Sequence, residues 1–329
     1  MKLRRVEWPT VLLAIACTIA WLAIIYGVGV FGYWWLAPVG VLLITLHSSL
    51  QHEALHGHPT NDRRINEALV FLPIGLIYPY RRFRVLHLKH HNDELLTDPF
   101  EDPESYYMCP RKWAEAAPVM QAIRRFNNTQ VGRLVIGPAL SIIGLIRQDW
   151  KLIQIGDRDV RNAWILHLIG FVPVFAWVSL VCGIDPILYF IAFAYPGLSV
   201  LSIRTFIEHQ AKEATGNRTI VNEDRGLFAF LFLNNNLHFV HHRNPTIAWY
   251  RLPKIFRDRR DEWVKLNHGY VVPNYFALLK EYAFKAKEPV IHPALRRAPE
   301  TGRAFRPRVR ARNVAGLGTA PVPAEPPKK

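Results

Sequence analysis

Two long stretches of the chain carry no charged residue, and this feature limits its fold more than any other. No Asp, Glu, Lys or Arg occurs between Glu7 and Glu53, or between Arg161 and Asp185. A bilayer core takes about 20 apolar residues per helix, so the first stretch can supply two spans and the second can supply one. An ordinary water-soluble fold is therefore excluded.

The apolar pattern predicts four membrane-spanning helices that form two hairpins. We expect spans near 10–26 and 35–51 in the first hairpin, and near 163–184 and 186–203 in the second. The turn 27–35 is rich in Gly, Tyr and Trp, and such aromatic rings lie at headgroup level in membranes. Because each hairpin returns the chain to its starting side, both hairpins end on the same side of the membrane.

Two weaker apolar stretches lie between the hairpins, at 68–78 and 131–146. The first is too short to cross a bilayer, and the second contains Arg133 and Pro138. We therefore predict an interfacial or re-entrant helix at each stretch.

These patterns predict an all-α membrane protein, with two helical hairpins and a cytosolic helical cap, within residues 1–288. The tail 289–329 is rich in Pro, Arg and Ala and has few large apolar residues. Such a segment cannot bury enough apolar surface to offset the entropy lost on ordering, so we predict that it is disordered.

The chain is basic, with 41 Lys and Arg against 26 Asp and Glu and a net charge of +15. The basic residues concentrate at the N-terminus, between the apolar blocks and in the C-terminal third. This distribution is the positive-inside pattern, and attraction to anionic headgroups accounts for the same charges. We therefore predict a multi-pass membrane protein with cytosolic termini and no nucleic-acid partner.

Nine of the fourteen histidines fall in four short places. The sequence HEALH occupies 52–56, HLKHH occupies 87–91, HFVHH occupies 238–242, and His209 follows the fourth predicted span. The full set is His52, His56, His87, His90, His91, His209, His238, His241 and His242. All nine lie on the cytosolic side in the predicted topology, so they can meet.

Helical spacing allows these histidines to share metal ions. Positions i and i+4 of an α-helix differ by roughly 40°, so His52 and His56 point the same way. In HxxHH, the histidines at i+3 and i+4 diverge to either side of the first, and such a triplet can supply two neighbouring metals. One tetrahedral site needs four ligands, so nine imidazoles indicate two ions. Imidazole alone does not choose among Zn, Cu, Fe and Ni.

The three motifs resemble the histidine boxes of membrane fatty acid desaturases, in the order and topology of that family. His209 lies where the family has a further histidine ligand, and the segment 245–253 is similar to the sequence after the family's third box. The resemblance covers roughly residues 10–255. It implies an oxidoreductase whose histidines hold two iron ions, which activate O2 and remove hydrogen from a lipid acyl chain.

Residues beside the motifs are candidates for orienting the histidines. Metal-bound imidazoles usually donate their second N–H to a carboxylate or amide. The candidates are Asn234, Glu53, Asp98, Glu208 and Asp93. Asn234 lies four residues before His238 and would share its helical face. We expect structural or surface roles for the remaining histidines, which are His47, His58, His167, His268 and His292.

Three functions fit these features. The first is desaturation of an acyl lipid or acyl thioester. The second, in the same superfamily, is hydroxylation or ketolation of a carotenoid or another lipid, because the histidine motifs are shared. The third, from a different class, is a membrane metal transporter or sensor, whose ligands should lie within the spans rather than beyond their ends.

The electron source is predicted to be a separate protein. The chain has no GxGxxG motif, no cysteine pattern for an iron–sulfur cluster and no HPGG haem motif. A ferredoxin or a cytochrome b5-like protein would fit this role. An acidic donor could dock on the basic residues after the third motif, which are Arg251, Lys254, Arg257, Arg259 and Arg260.

Overall fold

The computed structural model describes residues 6–92, 96–212 and 218–295, which are mostly helical. The helices of the first half are α1 (Trp8–Phe31), α2 (Ala37–Leu55), α3 (Arg63–Leu69), α4 (Tyr80–His91), α5 (Pro110–Ala114), α6 (Pro118–Asn127) and α7 (Gln130–Gln154). The helices of the second half are α8 (Arg158–Phe175), α9 (Pro186–Tyr189), α10 (Tyr195–Thr205), α11 (Leu227–Leu231), α12 (His238–Arg243), α13 (Leu252–Asp258), α14 (Arg260–Leu266) and α15 (Tyr275–Tyr282). Two short strands, β1 (Val221–Asn222) and β2 (Val271–Val272), pair in parallel.

Four helices in the described ranges are long and apolar enough to cross a membrane. They are Trp8–Phe31, Gln130–Gln154, Arg158–Val181 and Pro186–Thr205. The last two include π-helical turns, at Ala176–Val181 and Phe190–Ala194. The predicted class, an all-α protein with four helices able to span a membrane, is therefore confirmed. Three of these helices overlap the predicted spans 10–26, 163–184 and 186–203.

The fourth helix that is able to span a membrane is not the one that the sequence predicted. The predicted span 35–51 lies in α2, a 19-residue helix that is less apolar because its second half is polar. The polar residues there are His47, Ser48, Ser49, Gln51, His52 and Glu53. The 25-residue helix α7 meets the criterion instead. The composition argument against a span at 131–146 was wrong, since one Arg and one Pro are outweighed in so long an apolar helix. Its interfacial position stays a prediction.

Polar contacts hold α7 near its proline and near its end. Proline has no N–H and disturbs the helical bonding of the preceding turn. The Tyr195 hydroxyl donates to the carbonyl of Val135, three residues before Pro138. Toward the other end, the buried carboxylate of Asp149 accepts two hydrogen bonds from Arg82 of α4, at 2.7 and 2.8 Å. These contacts tie α7 to α10 and α4, which lead to the histidines.

The weak apolar stretch 68–78 is not a helix, in contrast to the prediction. Only its first two residues belong to α3, and the rest forms turns. Side chains from three long helices donate to its carbonyl groups. The pairs are Gln51 with Val70, Tyr189 with Ile74, and His167 with Leu76. Non-helical backbone is tolerated among apolar helices when its polar groups are paired in this way.

A close contact between α2 and α10 brings the ends of both helices together. A Cβ added at Gly197 would lie 2.6 Å from the Ile44 side chain, so only glycine allows this approach. The Thr45 hydroxyl donates to the Gly197 carbonyl, 3.0 Å away. His52 near the end of α2 and His209 just after α10 therefore lie in the same region.

The predicted disordered tail begins too early at residue 289. The Met108 amide donates to the Val290 carbonyl at 2.9 Å, and the His292 amide donates to the Met108 carbonyl at 3.1 Å. His292 is buried, and its Nε2 lies 3.0 Å from the Thr97 hydroxyl. Residues 289–295 thus belong to the fold, and the rest of the predicted tail, 296–329, lies outside the described residues.

Candidate metal centre

The first histidine pair lies at the end of α2. His52 is in the last turn of the helix, and His56 is the residue directly after it. One helical turn separates the two, so their rings are neighbours, with centroids 4.8 Å apart.

Each HxxHH motif lies on a short helix and supplies three histidines. The α4 set is His87, His90 and His91, and the α12 set is His238, His241 and His242. In both motifs, the histidines at i and i+4 contribute to one group, and the histidine at i+3 contributes to another. Helical geometry explains this division, because i+3 and i+4 lie on opposite sides of i by roughly 60° and 40°.

His209 lies outside any helix, four residues after the end of α10. It forms an isolated antiparallel bridge with Thr219, whose hydroxyl is 3.4 Å from Nδ1 of the imidazole. The ammonium group of Lys287 donates to the His209 carbonyl at 2.6 Å. These contacts fix the backbone of a histidine that helical spacing does not position.

The nine imidazoles form two groups. The first group is His52, His56, His87, His91 and His241, and the second group is His90, His209, His238 and His242. Within each group, the candidate ligand atoms all lie within 4.8 Å of one another. The structure thus brings together all nine histidines that the sequence singled out, and each group could hold a metal ion.

The nitrogen atoms of both groups fit a metal ion better than they fit each other. In the first group, Nε2 of all five histidines is buried and makes no hydrogen bond. In the second group, Nε2 of His209 lies 3.0 Å from Nε2 of both His90 and His238. Such a separation suits neighbouring ligands of one ion bound at about 2.1 Å. Without a metal ion, neutral imidazoles would leave some Nε2 lone pairs facing each other, which is unfavourable.

Two carboxylates orient two of the three histidines of α4. Nδ1 of His87 lies 2.7 Å from Glu104, and Nδ1 of His90 lies 2.8 Å from Asp102. An N–H donated to a carboxylate in this way leaves Nε2 available for a metal. The sequence interpretation missed both residues, although the acidic segment 98–104, DPFEDPE, closely follows the second motif.

The predicted partner Asn234 does not serve His238. Its amide donates to the carbonyl of Trp249, 3.1 Å away. The neighbouring Asn235 takes the expected place, with Oδ1 3.0 Å from Nδ1 of His238. The prediction was wrong by one residue because α12 begins at His238, so Asn234 is not on the same helix.

Glu208, a candidate from the sequence, lies beside the second group. One of its carboxylate oxygens lies 2.8 Å from Nε of Arg204 and 3.5 Å from Nδ1 of His238. The amide of Asn235 donates to the same oxygen at 3.3 Å. Glu208 therefore contributes to the orientation of His238 together with Asn235.

The other predicted partners lie elsewhere. Glu53 accepts a hydrogen bond from the Trp249 amide at 3.2 Å, and so links α2 to the segment after α12 rather than to a histidine. Asp98 caps a turn by accepting from the amides of Phe100 and Glu101. Asp93 lies outside the described residues.

Burial keeps most of these imidazoles neutral. Desolvation lowers the pKa of His91, His209 and His242, and the neutral ring is the form that binds metals. His90 differs from these three residues. Burial alone would lower its pKa, but the carboxylates of Glu104 and Asp102 outweigh burial, and the pKa of His90 is raised to about 9. Metal binding at the second group would therefore release a proton from His90.

A cavity of about 470 Å³ lies beside both groups. His87 of the first group and His209 of the second group line it. Apolar side chains of α2, α7 and α10 form much of the remaining wall, including Ile44, Leu140 and Leu201. Cavities of about 300–1,000 Å³ with mostly apolar walls bind small organic ligands.

The five other histidines lie outside both groups. His58 contacts Glu7 at 2.8 Å, and His167 contacts the Leu76 carbonyl at 2.7 Å. His47 is buried against the cavity, and His268 is exposed. His292 contacts Thr97, as described above.

Comparison with known proteins agrees with the arrangement of these residues. A family model described as fatty acid desaturase matches residues 32–274, which is most of the chain and includes all nine histidines. No curated protein matches the chain.

Proposed function

Because the chain belongs to the fatty acid desaturase family, we propose that it desaturates the acyl chain of a membrane lipid or acyl thioester with O2. The family is an oxidoreductase superfamily of the non-haem di-iron class, and the chain is an integral membrane protein. The observation that carries the proposal is the pair of adjacent histidine groups, both of which border one largely apolar cavity.

The residues of the site have separate tasks in this proposal. The nine histidines would hold two iron ions, which would supply O2 activation and removal of hydrogen from a C–H bond. Glu104, Asp102 and Asn235 each accept an N–H from an imidazole and keep Nε2 turned toward its group. The apolar walls from α2, α7 and α10 hold the acyl chain beside His87 and His209 and exclude water.

We propose a cytosolic position for the histidine groups and for both termini. The distribution of Lys and Arg supports this orientation. Electrons would then arrive from a cytosolic redox protein, such as a ferredoxin or a cytochrome b5-like donor, since the sequence has no GxGxxG motif, no cysteine pattern for an iron–sulfur cluster and no HPGG haem motif.

The proposed docking surface for this donor is the segment 251–260, which follows the third histidine motif and contains α13 and the first residue of α14. All five of its basic residues are exposed. Three of them pair with acidic side chains: Lys254 with Asp258, Arg259 with Glu262, and Arg260 with Glu223. Arg251 and Arg257 have no ion pair among the described residues, so they would contribute most to attraction of an acidic donor.

The experiment that tests the function is analysis of lipids and carotenoids from cells that express the chain. We expect new double bonds in acyl chains, and we expect them to disappear in a His90→Ala variant. A His268→Asn variant, which changes an exposed histidine outside both groups, should retain the products. Hydroxylated or ketolated products lost in His90→Ala would favour the alternative reaction of the same superfamily. Metal accumulation without any lipid product would favour a transporter or sensor.

A further inference from the structure

Two of the charged residues that line the cavity have no ion-pair partner among the described residues. In the described part of the chain, three carboxylates and three arginines line it. Four of the six are engaged: Asp102 with His90, Glu104 with His87, and Glu208 with Arg204. The remaining two are Arg124 of α6 and Arg133 of α7, and neither lies within ion-pair distance of a described carboxylate.

Arg133 is a buried cation, with only 7% of its surface exposed. Its guanidinium carbon lies 4.0 Å from the centre of the Tyr106 ring, and its Nε donates to the Asn127 carbonyl at 3.2 Å. Its Nη2 is buried and makes no hydrogen bond. An aromatic face offsets only part of the cost of burying a charge, so an anionic group beside Arg133 would be strongly favoured.

Arg124 of α6 is a second positive charge in the wall of the cavity. Its Nε is also buried without a hydrogen bond. The helices that carry the two arginines meet at a tight corner, because Gly132 lies directly against the Phe126 carbonyl, where no Cβ would fit. At Gly137, an added Cβ would lie 2.7 Å from Cδ of Arg133, so this glycine leaves room for the arginine stem.

The rest of the cavity is suited to an apolar chain. It follows α7 past Leu140 and Leu145, and Gly144 has no atom within 4 Å of the place where its Cβ would be. Arg133 and Gly144 are roughly 16 Å apart along the helix, at about 1.5 Å per residue. The histidine groups border the same cavity through His87 and His209.

We propose that the cavity binds a single acyl chain that ends in an anionic group, with the anion on Arg124 and Arg133 and the chain along α7. The inference rests on the proposed function, because it names the class of substrate. The carboxylate of a free fatty acid and the phosphate of a monoacyl lipid share this chemistry. A neutral ester or a long-chain alcohol lacks it.

Equilibrium binding to the purified full-length protein tests this inference. The ligands are palmitate, 1-palmitoyl-glycerol 3-phosphate and hexadecanol, measured by titration calorimetry in the same detergent. We expect at least one anionic ligand to bind about tenfold or more tightly than hexadecanol, as for hydrogen bonds to a charged group. The stronger of the two anionic ligands identifies the source of the anion. Equal affinity for all three ligands would overturn the inference.

Variants of the two arginines separate charge recognition from folding. Arg133→Gln and Arg124→Gln should lower the affinity for the anionic ligand and leave hexadecanol binding unchanged, which also shows that the cavity is intact. Arg125→Gln is the matched control, because Arg125 is exposed and stacks on Trp113 outside the cavity. Anion binding that is unaffected by both Arg133→Gln and Arg124→Gln would contradict the proposed site.

A Gly144→Leu variant tests the path of the chain. A Cβ at Gly144 meets no atom within 4 Å, and leucine suits a helix better than glycine, so the fold should be retained. We expect weaker binding of palmitate and unchanged binding of decanoate, which is shorter. Unchanged binding of palmitate would show that the chain does not follow α7.

The binding readout is independent of iron and of turnover, so the two proposals can fail separately. A protein that binds palmitate through Arg133 but modifies no lipid would contradict the proposed function and support the anion site. A protein that desaturates lipids but shows no dependence of binding on Arg133 or Arg124 would contradict the anion site alone.

Discussion

The two histidine groups differ in how the chain positions their members. The first group comes entirely from three histidine motifs, which lie at the C-terminal end of α2, on α4 and on α12. The second group needs His209, which follows α10 in non-helical backbone and is held by Thr219 and Lys287. Helical periodicity is therefore enough to align the histidines within each motif of the first group, whereas the second group also needs a histidine that helical periodicity does not position.

The surroundings of the two groups differ as well. Among the contacts described, the first group has one carboxylate partner, Glu104, which is partly exposed. The second group has the buried carboxylate of Asp102 on His90, and Asn235 and Glu208 on His238. The four imidazoles of the second group thus have more hydrogen-bonding partners than the five imidazoles of the first group. We infer that the second group is the more rigid of the two.

The largest effect should follow from removal of one ligand from each group. His87 and His90 lie on the same helix, α4, but belong to different groups. We expect His87→Ala and His90→Ala each to lower product formation by more than the roughly 100-fold seen for residues that only orient a ligand. His90→Ala leaves three imidazoles in the second group and should retain about one metal ion per chain, whereas His87→Ala leaves four imidazoles in the first group and should retain more metal than His90→Ala. Metal analysis of the purified variants measures this.

The exposed residue His268 supplies the control for these variants, because His268→Asn should keep both ions and full product formation. Loss of both ions from either alanine variant would contradict the division into two sites, because it would show that the two groups bind metal ions only together. Full occupancy in both variants would contradict the assignment of ligands.

A smaller effect should follow from removal of the carboxylate partners. Asp102→Ala should weaken iron binding to the second group about 10- to 100-fold, because His90 loses the acceptor that fixes its ring. Glu104→Ala should have a weaker effect on the first group, since water can replace a partly exposed carboxylate. Iron affinity by chelator competition measures both. Asp98→Ala is the control, because Asp98 lies in the same turn as Asp102 but contacts no histidine of either group. An equal loss of iron affinity in Asp98→Ala would show that the turn, and not the contact of Asp102 with His90, is responsible.

The smallest effect should separate two neighbouring asparagines. Asn235→Ala removes the acceptor for Nδ1 of His238, so iron affinity should fall about tenfold. Asn234→Gly keeps the positive φ of 56° and loses only the hydrogen bond to Trp249, so it should cost about 1 kcal/mol of stability and leave iron affinity unchanged. Chelator competition and thermal unfolding give the two readouts. A reversed pattern would restore the original prediction for Asn234.

The sequence predicted those parts of the molecule that depend on local periodicity. The charge-free stretches predicted the all-α membrane class, and the spacing of HEALH and HxxHH singled out the histidines that the fold gathers into two groups. Partners from loops could not be predicted this way, because Asp102 and Glu104 reach α4 through a turn rather than through a helical repeat. Asn235 was missed because the start of α12 cannot be read to a single residue from sequence.

The errors in the predicted membrane spans also arise from contacts between segments that are distant in the sequence. Apolar content favours α7 over α2, yet α2 carries His52 and packs against α10 through Gly197. Composition measures the match of a helix to lipid, and it does not measure contacts with neighbouring helices. The turns of 70–79 were also missed, because their carbonyl groups are paired by side chains far away in the sequence.

The most direct test of the central claim is anomalous X-ray diffraction at the iron absorption edge, from crystals of the purified, active protein. We predict two strong peaks, one among the five imidazoles of the first group and one among the four imidazoles of the second group. The absence of iron peaks, or a single peak bound by histidines of both groups, would contradict the account.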